Sequence, residues 1–209
     1  MPHTDLKTHW NEAYQKKAVE QLGWYEAAPS PSLELIEKTG LPTDAAILHV
    51  GAGATTLVDE LLRRGYSNLI VNDLSEVALE RLRQRLGKAA DDLTWVVDDL
   101  TRPERLPKLP PVDLWHDRAV LHFFTEEKDQ NTYFDLLRRL VRPGGYAIIA
   151  TFNLQGATKC SGLPVFRYDE KMLDEKTGPD FRLVESFNYT YVQPSGNTRE
   201  YVYTLFKKK

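Results

Sequence analysis

Short apolar runs and helix-like patterns alternate along the middle of the chain. The run at 46–50 leads directly into glycines, and apolar residues then recur at helical spacing. The same order of strand, tight turn and helix repeats at 69–71, where the run ends at Asn72-Asp73 and Ser75 follows as the predicted N-cap. The repeat predicts consecutive strand–helix units.

Three further apolar runs continue the alternation. They cover residues 93–97, 112–116 and 146–152. A helix from about 126 to 141 is expected between the last two, because neighbouring parallel strands need a crossover connection. This alternation predicts an α/β, doubly wound, Rossmann-like fold with a mostly parallel sheet.

Both ends of the chain break this pattern. After Phe152 come a glycine-containing loop, a short helix near 169–176 and two β-rich runs at 183–193 and 200–207. A turn-forming cluster at 194–197 joins the two runs, so we expect a C-terminal antiparallel hairpin that closes a sheet of about seven strands. The first forty residues are rich in aromatics, which predicts a cap lying on the sheet.

Composition and charge narrow the classes of function. Hydrophobic residues make up 42% of the 209 residues and charged residues 27%, as in an ordinary soluble globular protein. The 27 basic and 30 acidic residues give a net charge of −3, and the basic run is a tail at 207–209. No nucleic-acid partner is expected, because a nucleic-acid-binding domain usually carries a net positive charge.

Cysteine usage and the N-terminus bear on the compartment. Cys160 is the single cysteine and cannot form an internal disulfide. Met1–Asp5 contains no apolar signal region, and no stretch of the sequence is long and apolar enough to cross a bilayer. We therefore expect a cytoplasmic protein with no membrane partner and no metal site, and the sequence leaves its oligomeric state open.

The most restrictive local pattern is Gly51-Ala52-Gly53, where a strand ends and a helix begins within a few residues. Glycine lacks a Cβ, so the backbone can turn sharply and approach a ligand closely. Asp73 lies about twenty residues downstream, where its carboxylate can accept hydrogen bonds from two ribose hydroxyls. The pair indicates a nicotinamide dinucleotide or S-adenosylmethionine, and Thr56 in place of a third glycine makes the dinucleotide less suitable.

The order of motifs resembles that of the class I S-adenosylmethionine-dependent methyltransferases over nearly the whole chain. The motifs are I-L-H-V-G-A-G, V-N-D-L-S, V-V-D-D-L, D-L-W-H-D and L-V-R-P-G-G-Y. The resemblance implies S-adenosylmethionine as cofactor and one methyltransferase domain over 1–209. Within it we expect an N-terminal cap or lid at 1–43, a cofactor-binding core at 44–152, and an acceptor-side loop with the closing hairpin at 153–209.

The resemblance also implies roles for individual residues. The glycine turn lies beneath the methionine portion, Asp73 holds the ribose, and residues 98–100 meet the adenine through a carboxylate and a backbone amide, with Asp99 the better placed acid. The predicted cofactor-binding residues are Gly51, Ala52, Gly53, Asp73, Leu74, Asp98, Asp99, Leu100 and the cap aromatics Trp10, Tyr14 and Trp24.

Two positions depart from the family's usual first motif. His49 stands where Asp or Glu is common, and Thr55 stands where a third glycine is often found. The acidic residue helps to organise the amino end of the cofactor, so a histidine there must act differently, as a neutral ring with one donor and one acceptor nitrogen, or not at all.

The segment Leu114–Leu121 resembles the W-D-R-G-A-L segment of the thiopurine S-methyltransferase branch, and the aromatic cap is similar in kind. This implies a small-molecule acceptor, first of all a thiol or a sulfide or chalcogen compound. It places Arg118 near the acceptor with Asp117 beside it, and the alternative for Arg118 is a buried ion pair with Asp117 or another carboxylate. We predict Arg118, Asp117 and His116 as the catalytic residues.

Two other functions stay open. Trp10-x-x-x-Tyr14 and Trp24-Tyr25 also resemble small protein-lysine methyltransferases, whose amine acceptor must lose a proton before it attacks. Candidates for removing that proton are His116, His122 and Tyr168. A cofactor-binding fold that has lost its chemistry and serves as an interaction module is the third possibility, and the intact cofactor motifs argue against it.

Overall fold

A seven-stranded mixed sheet organises residues 5–209, the part of the chain that the computed structural model describes. The strands are β1 (Ile47–Val50), β2 (Leu69–Asp73), β3 (Thr94–Val97), β4 (Val112–Arg118), β5 (Val141–Phe152), β8 (Phe181–Val192) and β9 (Thr198–Lys208). Their order in the sheet is β3-β2-β1-β4-β5-β9-β8. Strands β1 to β5 pair in parallel, whereas β9 runs antiparallel to both β5 and β8.

Six α-helices accompany the sheet in the described residues. They are α1 (Leu6–Lys16), α2 (Ser30–Thr39), α3 (Leu57–Arg63), α4 (Glu76–Leu86), α5 (Glu127–Leu140) and α6 (Glu170–Thr177). Their starts follow from the sequence: Ser75 Oγ accepts the Ala78 amide at 3.1 Å to begin α4, and Asp169 accepts the Met172 amide at 2.8 Å to begin α6. Gly40, with a φ of 65°, ends α2.

The core lies on both faces of the sheet. Alternate positions of one strand face opposite sides, so Leu48 packs with Trp115 and Phe134 while Ile47 packs with Leu57 and Val58. The predicted α/β Rossmann-like fold with a C-terminal antiparallel hairpin is therefore confirmed. No helix of residues 5–209 has both the length and the apolar character needed to span a membrane.

Three details differ from the sequence prediction. β5 begins at Val141, not at Tyr146, because the Pro-Gly-Gly segment stays in the strand as an irregularity where the pairing with β4 shifts register. The loop after β5 contains a two-stranded hairpin of β6 (Lys159–Cys160) and β7 (Leu163–Pro164). Residues 1–4 lie outside the described residues. They belong to the predicted cap and to the segment Met1–Asp5, in which no apolar signal region was predicted.

Candidate active site

A cavity of about 900 Å³, partly open to solvent, lies at the carboxyl ends of the parallel strands. The ends of β1 to β4 form its floor. Ligands of open α/β sheets commonly bind where the strand order reverses. The reversal here is at β1 and β4, which are neighbours in the sheet. Helix α1 and the segment before α2 cover one side, and β6 and the start of β9 close the other.

The glycine turn after β1 can be built only with glycine. Gly51 and Gly53 have φ angles of 55° and 57°, in the left-handed region that other residues rarely adopt. A Cβ on Gly51 would collide with Val120, and one on Gly53 with the hydroxyl of Tyr14. Gly51 lines the 900 Å³ cavity, whereas Ala52 lines a second, smaller cavity beside it.

Asp73 ties the end of β2 to this turn. Its carboxylate accepts the backbone amides of Gly53 and Ser75, each at 2.7 Å, and its side chain lines the cavity together with Leu74. Burial raises the pKa of Asp73 to about 6, although the amide hydrogen bonds favour the ionised form. The position is compatible with the predicted ribose contact, which stays a prediction.

Asp98 and Asp99, the two acids after β3, differ in the hydrogen bonds that their carboxylates accept. Oδ2 of Asp98 accepts the backbone amides of Arg105 and Leu106, both at 2.8 Å, and so holds its own loop. Asp99 uses only Oδ1 within the loop, for the amide and hydroxyl of Thr101 at 2.8 Å each. Both acids and Leu100 line the cavity, and Oδ2 of Asp99 has no hydrogen-bond partner among residues 5–209.

The cap contributes one face of α1. Leu6, Trp10 and Tyr14 recur every fourth residue, so they share that face, and all three line the cavity. Trp24 donates its indole N–H to the hydroxyl of Tyr14 at 2.9 Å, and Trp10 packs edge-on against both Trp24 and Phe123. The cap therefore rests directly on the glycine turn through Tyr14.

Arg118 is buried and paired, but with Glu26 instead of Asp117. Its Nε lies 2.9 Å from the Glu26 carboxylate, and each of the two side chains is only 9% exposed. It also donates to the Tyr203 hydroxyl and the Trp24 carbonyl at 3.1 Å. The guanidinium thus joins the cap to β9, and it lines both cavities.

Asp117 and His116 do not line the 900 Å³ cavity, although His116 lines the smaller cavity beside it, and their predicted catalytic role stays a prediction. Asp117 is fully buried and accepts the Tyr133 hydroxyl at 2.7 Å and the amides of Val120 and Leu121. Burial raises its pKa to about 7. These contacts hold the turn after β4.

His49, His116 and His122 are buried among other side chains. His116 Nε2 hydrogen-bonds the Ser32 hydroxyl at 2.9 Å, and its ring packs edge-on against His49 at 4.6 Å. His122 is stacked on Phe152 at 4.3 Å, and burial lowers its pKa to about 3, so it stays neutral. Tyr168 has a fully buried side chain and does not line the cavity.

The end of the cavity away from the cofactor motifs is aromatic and basic. Its walls include Phe123, Phe152, Cys160, Arg199 and Tyr201. Nε of Arg199 is buried and has no hydrogen-bond partner among the described residues, while its Nη1 donates to the Thr198 carbonyl at 2.8 Å. Burial raises the pKa of Cys160, which keeps the thiol protonated.

Sequence reasoning missed Glu26 and Arg199. Arg199, Tyr201 and Tyr203 occupy alternate positions of β9 and so share one face of this strand, and Arg199 and Tyr201 line the cavity. The predicted run at 200–207 contains Tyr201 and Tyr203 of this alternating pattern, whereas Arg199 precedes the run. Glu26 lies in a loop of the cap, where no local sequence pattern predicts that an acidic side chain is buried.

Comparison with known proteins adds a family match and relatives. Residues 47–145 match the family model described as a methyltransferase domain. A protein named EEF1A lysine methyltransferase 2, from Danio rerio, is 27% identical over 190 residues, which cover 84% of this chain and 79% of the relative.

Solved structures with the same fold cover almost the whole chain. A SAM-dependent methyltransferase from Anabaena variabilis ATCC 29413 superposes with a TM-score of 0.78 at 15% identity, over 98% of this chain and 93% of its own. The 1,6-didemethyltoxoflavin-N1-methyltransferase of Burkholderia thailandensis, with bound 1,6-didemethyltoxoflavin and S-adenosylhomocysteine, gives 0.70 at 20% identity, over 99% and 86%. These similarities show that the fold is shared.

Proposed function

We propose that this protein, an S-adenosylmethionine-dependent methyltransferase, transfers the methyl group to a small-molecule nucleophile. A thiol, or a sulfide or related chalcogen compound, is the first candidate. The observation that carries the proposal is the composition of the acceptor end of the cavity, which is aromatic and contains an arginine with an unpartnered buried nitrogen.

The cofactor motifs fit the adenosine half of S-adenosylmethionine. The carboxylates of Asp73 and Asp99 line one side of the cavity, as acceptors for ribose and adenine donors, and the backbone of Gly51 lines the same cavity. S-adenosylmethionine supplies a methyl group on a positively charged sulfur. The remaining volume lies between the cap, the loop after β4 and β9, where the acceptor must sit.

Charge at the acceptor end favours an anion over an ammonium group. Among the residues that line the 900 Å³ cavity, the carboxylates are Asp73, Asp98 and Asp99, and all three belong to the cofactor motifs. Arg199 contributes a positive charge beside Cys160 and Tyr201. A positive side chain stabilises a thiolate and disfavours a lysine ammonium in the same place.

The enclosed aromatic walls supply alignment and exclude water. Methyl transfer is an in-line displacement in which opposite charges largely cancel, so an enzyme gains most from holding the two reacting atoms in line. Phe123 lies on the loop after β4 and Phe152 ends β5, so their rings belong to well-packed elements. Such walls suit a compact, polarisable acceptor.

The reaction needs no strong base when the acceptor is a thiol. A thiol with a pKa of roughly 8.5 is a few per cent ionised at neutral pH, and a nearby arginine increases that fraction. The acceptor sulfur forms a bond to the methyl carbon as the bond from that carbon to the cofactor sulfur breaks. The bonding pair stays on the cofactor sulfur, and the thiol proton has already passed to water.

The second candidate is a protein-lysine N-methyltransferase. The similarity to EEF1A lysine methyltransferase 2 over 84% of this chain favours it. A lysine would have to enter through the open side of the cavity and lose its proton. The buried histidines are neutral but lie outside the 900 Å³ cavity, so they are poorly placed to accept that proton.

A matched pair of acceptors tests the proposal. We would measure S-adenosylhomocysteine release with phenylmethanethiol and with benzylamine, which share the same carbon skeleton, and with a lysine-containing peptide. We expect kcat/KM for the thiol to exceed that for the amine by at least about 100-fold at neutral pH. Faster transfer to the peptide than to every thiol tried would establish the second candidate instead.

A further inference from the structure

A short loop, residues 54–56, leads from the glycine turn into α3 and lines the smaller cavity. Helix α3 takes the Thr56 carbonyl for its first backbone hydrogen bond, from the Glu60 amide at 3.1 Å. The carbonyls of Ala54 and Thr55 precede this ladder, so they are available to donors from outside the helix. The donors that they find determine how the middle of the loop is held.

Arg85, in the last turn of α4, supplies those donors. Its Nη1 donates to the Ala54 carbonyl at 2.9 Å, and its Nη2 donates to the Thr55 carbonyl. The same guanidinium binds the carboxylate of Asp59 in the first turn of α3, from Nε at 3.1 Å and from Nη2 at 2.7 Å. One side chain of α4 therefore bonds both the loop and the helix that follows it.

Arg85 adds a restraint that the other contacts of the loop do not provide. Asp73 accepts the Gly53 amide at 2.7 Å, and the Thr56 hydroxyl donates to the Glu26 carbonyl of the cap at 2.8 Å. Those two bonds hold the ends of the loop, whereas Arg85 holds the peptide units between them. Arg85 lines neither cavity, so any effect that it has on a ligand must pass through the loop.

The chemistry of the guanidinium suits this arrangement. The direction of a carbonyl fixes the plane of its peptide unit, so two bonded carbonyls hold the loop in one shape. Arginine presents five donors in a planar fork, and hydrogen bonds from a charged donor are stronger than those between neutral groups. A loop that already has its bound shape loses less conformational freedom when a ligand binds, which raises the affinity.

We propose that Arg85 is a positioning residue for the cofactor. It holds the loop after the glycine turn in the shape that receives S-adenosylmethionine, and it acts through Ala54 and Thr55 without touching the cofactor. Arginine is required because its fork spans the loop and α3 together, whereas the ammonium of a lysine is a compact point charge. The role concerns the cofactor alone, so it is independent of the acceptor's identity.

Two substitutions that affect the same ion pair test the proposal. Arg85→Gln removes the ion pair and the guanidinium bonds to the carbonyls, whereas Asp59→Asn removes only the charge of the partner. We would measure the dissociation constant of S-adenosylhomocysteine by calorimetry, at a temperature where circular dichroism shows each variant to be folded. We expect Arg85→Gln to weaken binding about 5-fold, Arg85→Lys about 3-fold and Asp59→Asn less than about 1.5-fold.

The control for loss of a positive charge is Arg83→Gln on the same helix. Arg83 lies 3.7 Å from Glu80 and over the ring of Trp95, and it makes no contact with the loop. It should leave the dissociation constant unchanged. Equal losses in Arg85→Gln and Asp59→Asn would assign the effect to the ion pair and overturn the proposal. Unchanged affinity in every Arg85 variant that folds, with a lowered melting temperature, would also overturn it, because Arg85 would then only stabilise the fold.

Discussion

The two ends of the large cavity are built in different ways. The cofactor end comes from the ends of β1, β2 and β3, within residues 51–100, and its acids are held by backbone amides of adjacent turns. The acceptor end combines side chains far apart in sequence, from Phe123 to Tyr201. Local geometry fixes the first, whereas the second depends on how the cap and the hairpin pack.

The largest expected effect is at the glycine turn. Gly51→Val places a β-branched residue at a φ of 55° and drives its Cβ into Val120, so S-adenosylhomocysteine affinity should fall about 100-fold or more. Gly40→Val has a similar φ of 65° with open space around it, and serves as the control. Calorimetry should show weakened binding only for Gly51→Val, and retained affinity in that variant would remove the turn from the site.

Removing the Asp73 carboxylate comes next. Asp73→Ala loses the predicted ribose acceptor and the two amide contacts that join β2 to the turn, each a charge-assisted hydrogen bond. Such bonds contribute roughly 1.5 to 3 kcal/mol, which corresponds to a loss of about 10- to 150-fold in affinity. Unchanged S-adenosylhomocysteine affinity, with a native melting temperature, would contradict the ribose assignment.

The raised pKa of Asp73 predicts that the affinity for S-adenosylhomocysteine depends on pH. The pKa of Asp73 is raised to about 6 by burial, and ribose hydroxyls need the ionised form as their acceptor. Affinity should therefore be constant above pH 7 and fall about 10-fold between pH 7 and pH 5 as the carboxylate takes up a proton. In Asp73→Asn that dependence should disappear, and a wild-type affinity that is flat down to pH 5 would refute the link.

At the acceptor end, Arg199→Gln should act on the acceptor alone. Loss of the positive charge should lower kcat/KM for a thiol about 10-fold and leave S-adenosylhomocysteine affinity unchanged. Arg182→Gln, on the exposed side of β8, is the matched control. Steady-state kinetics in which both variants behave alike would show that Arg199 plays no part in holding the acceptor.

The smallest effect is expected for Cys160→Ser. The thiol lines the acceptor end, and burial raises its pKa, so it offers contact area and no nucleophile. Replacement should change kcat/KM less than about 2-fold. A loss of more than 10-fold, measured beside wild-type protein, would give Cys160 a chemical role.

The difference between the two ends also explains what the sequence could predict. Strand runs, the Gly51 and Gly53 turn and the Ser75 cap are local signals, and each stands within a few residues of its predicted place. The pairing of Arg118 with Glu26 joins positions about ninety residues apart, so no spacing along the chain reveals it. The same holds for the hydrogen bond from the Tyr133 hydroxyl to Asp117, which joins β4 to α5 across the core.

The identity of the acceptor is tested most directly by following the methyl group. Purified protein and S-adenosylmethionine with a tritiated methyl group would be added to a cell extract, and the label in dialysable or volatile products compared with the label on protein. The account predicts that most of the enzyme-dependent label appears in small sulfur-containing products. Label that stays on protein and resists treatment with base would contradict it, and recovery of that label as methyl-lysine after acid hydrolysis would establish lysine methylation.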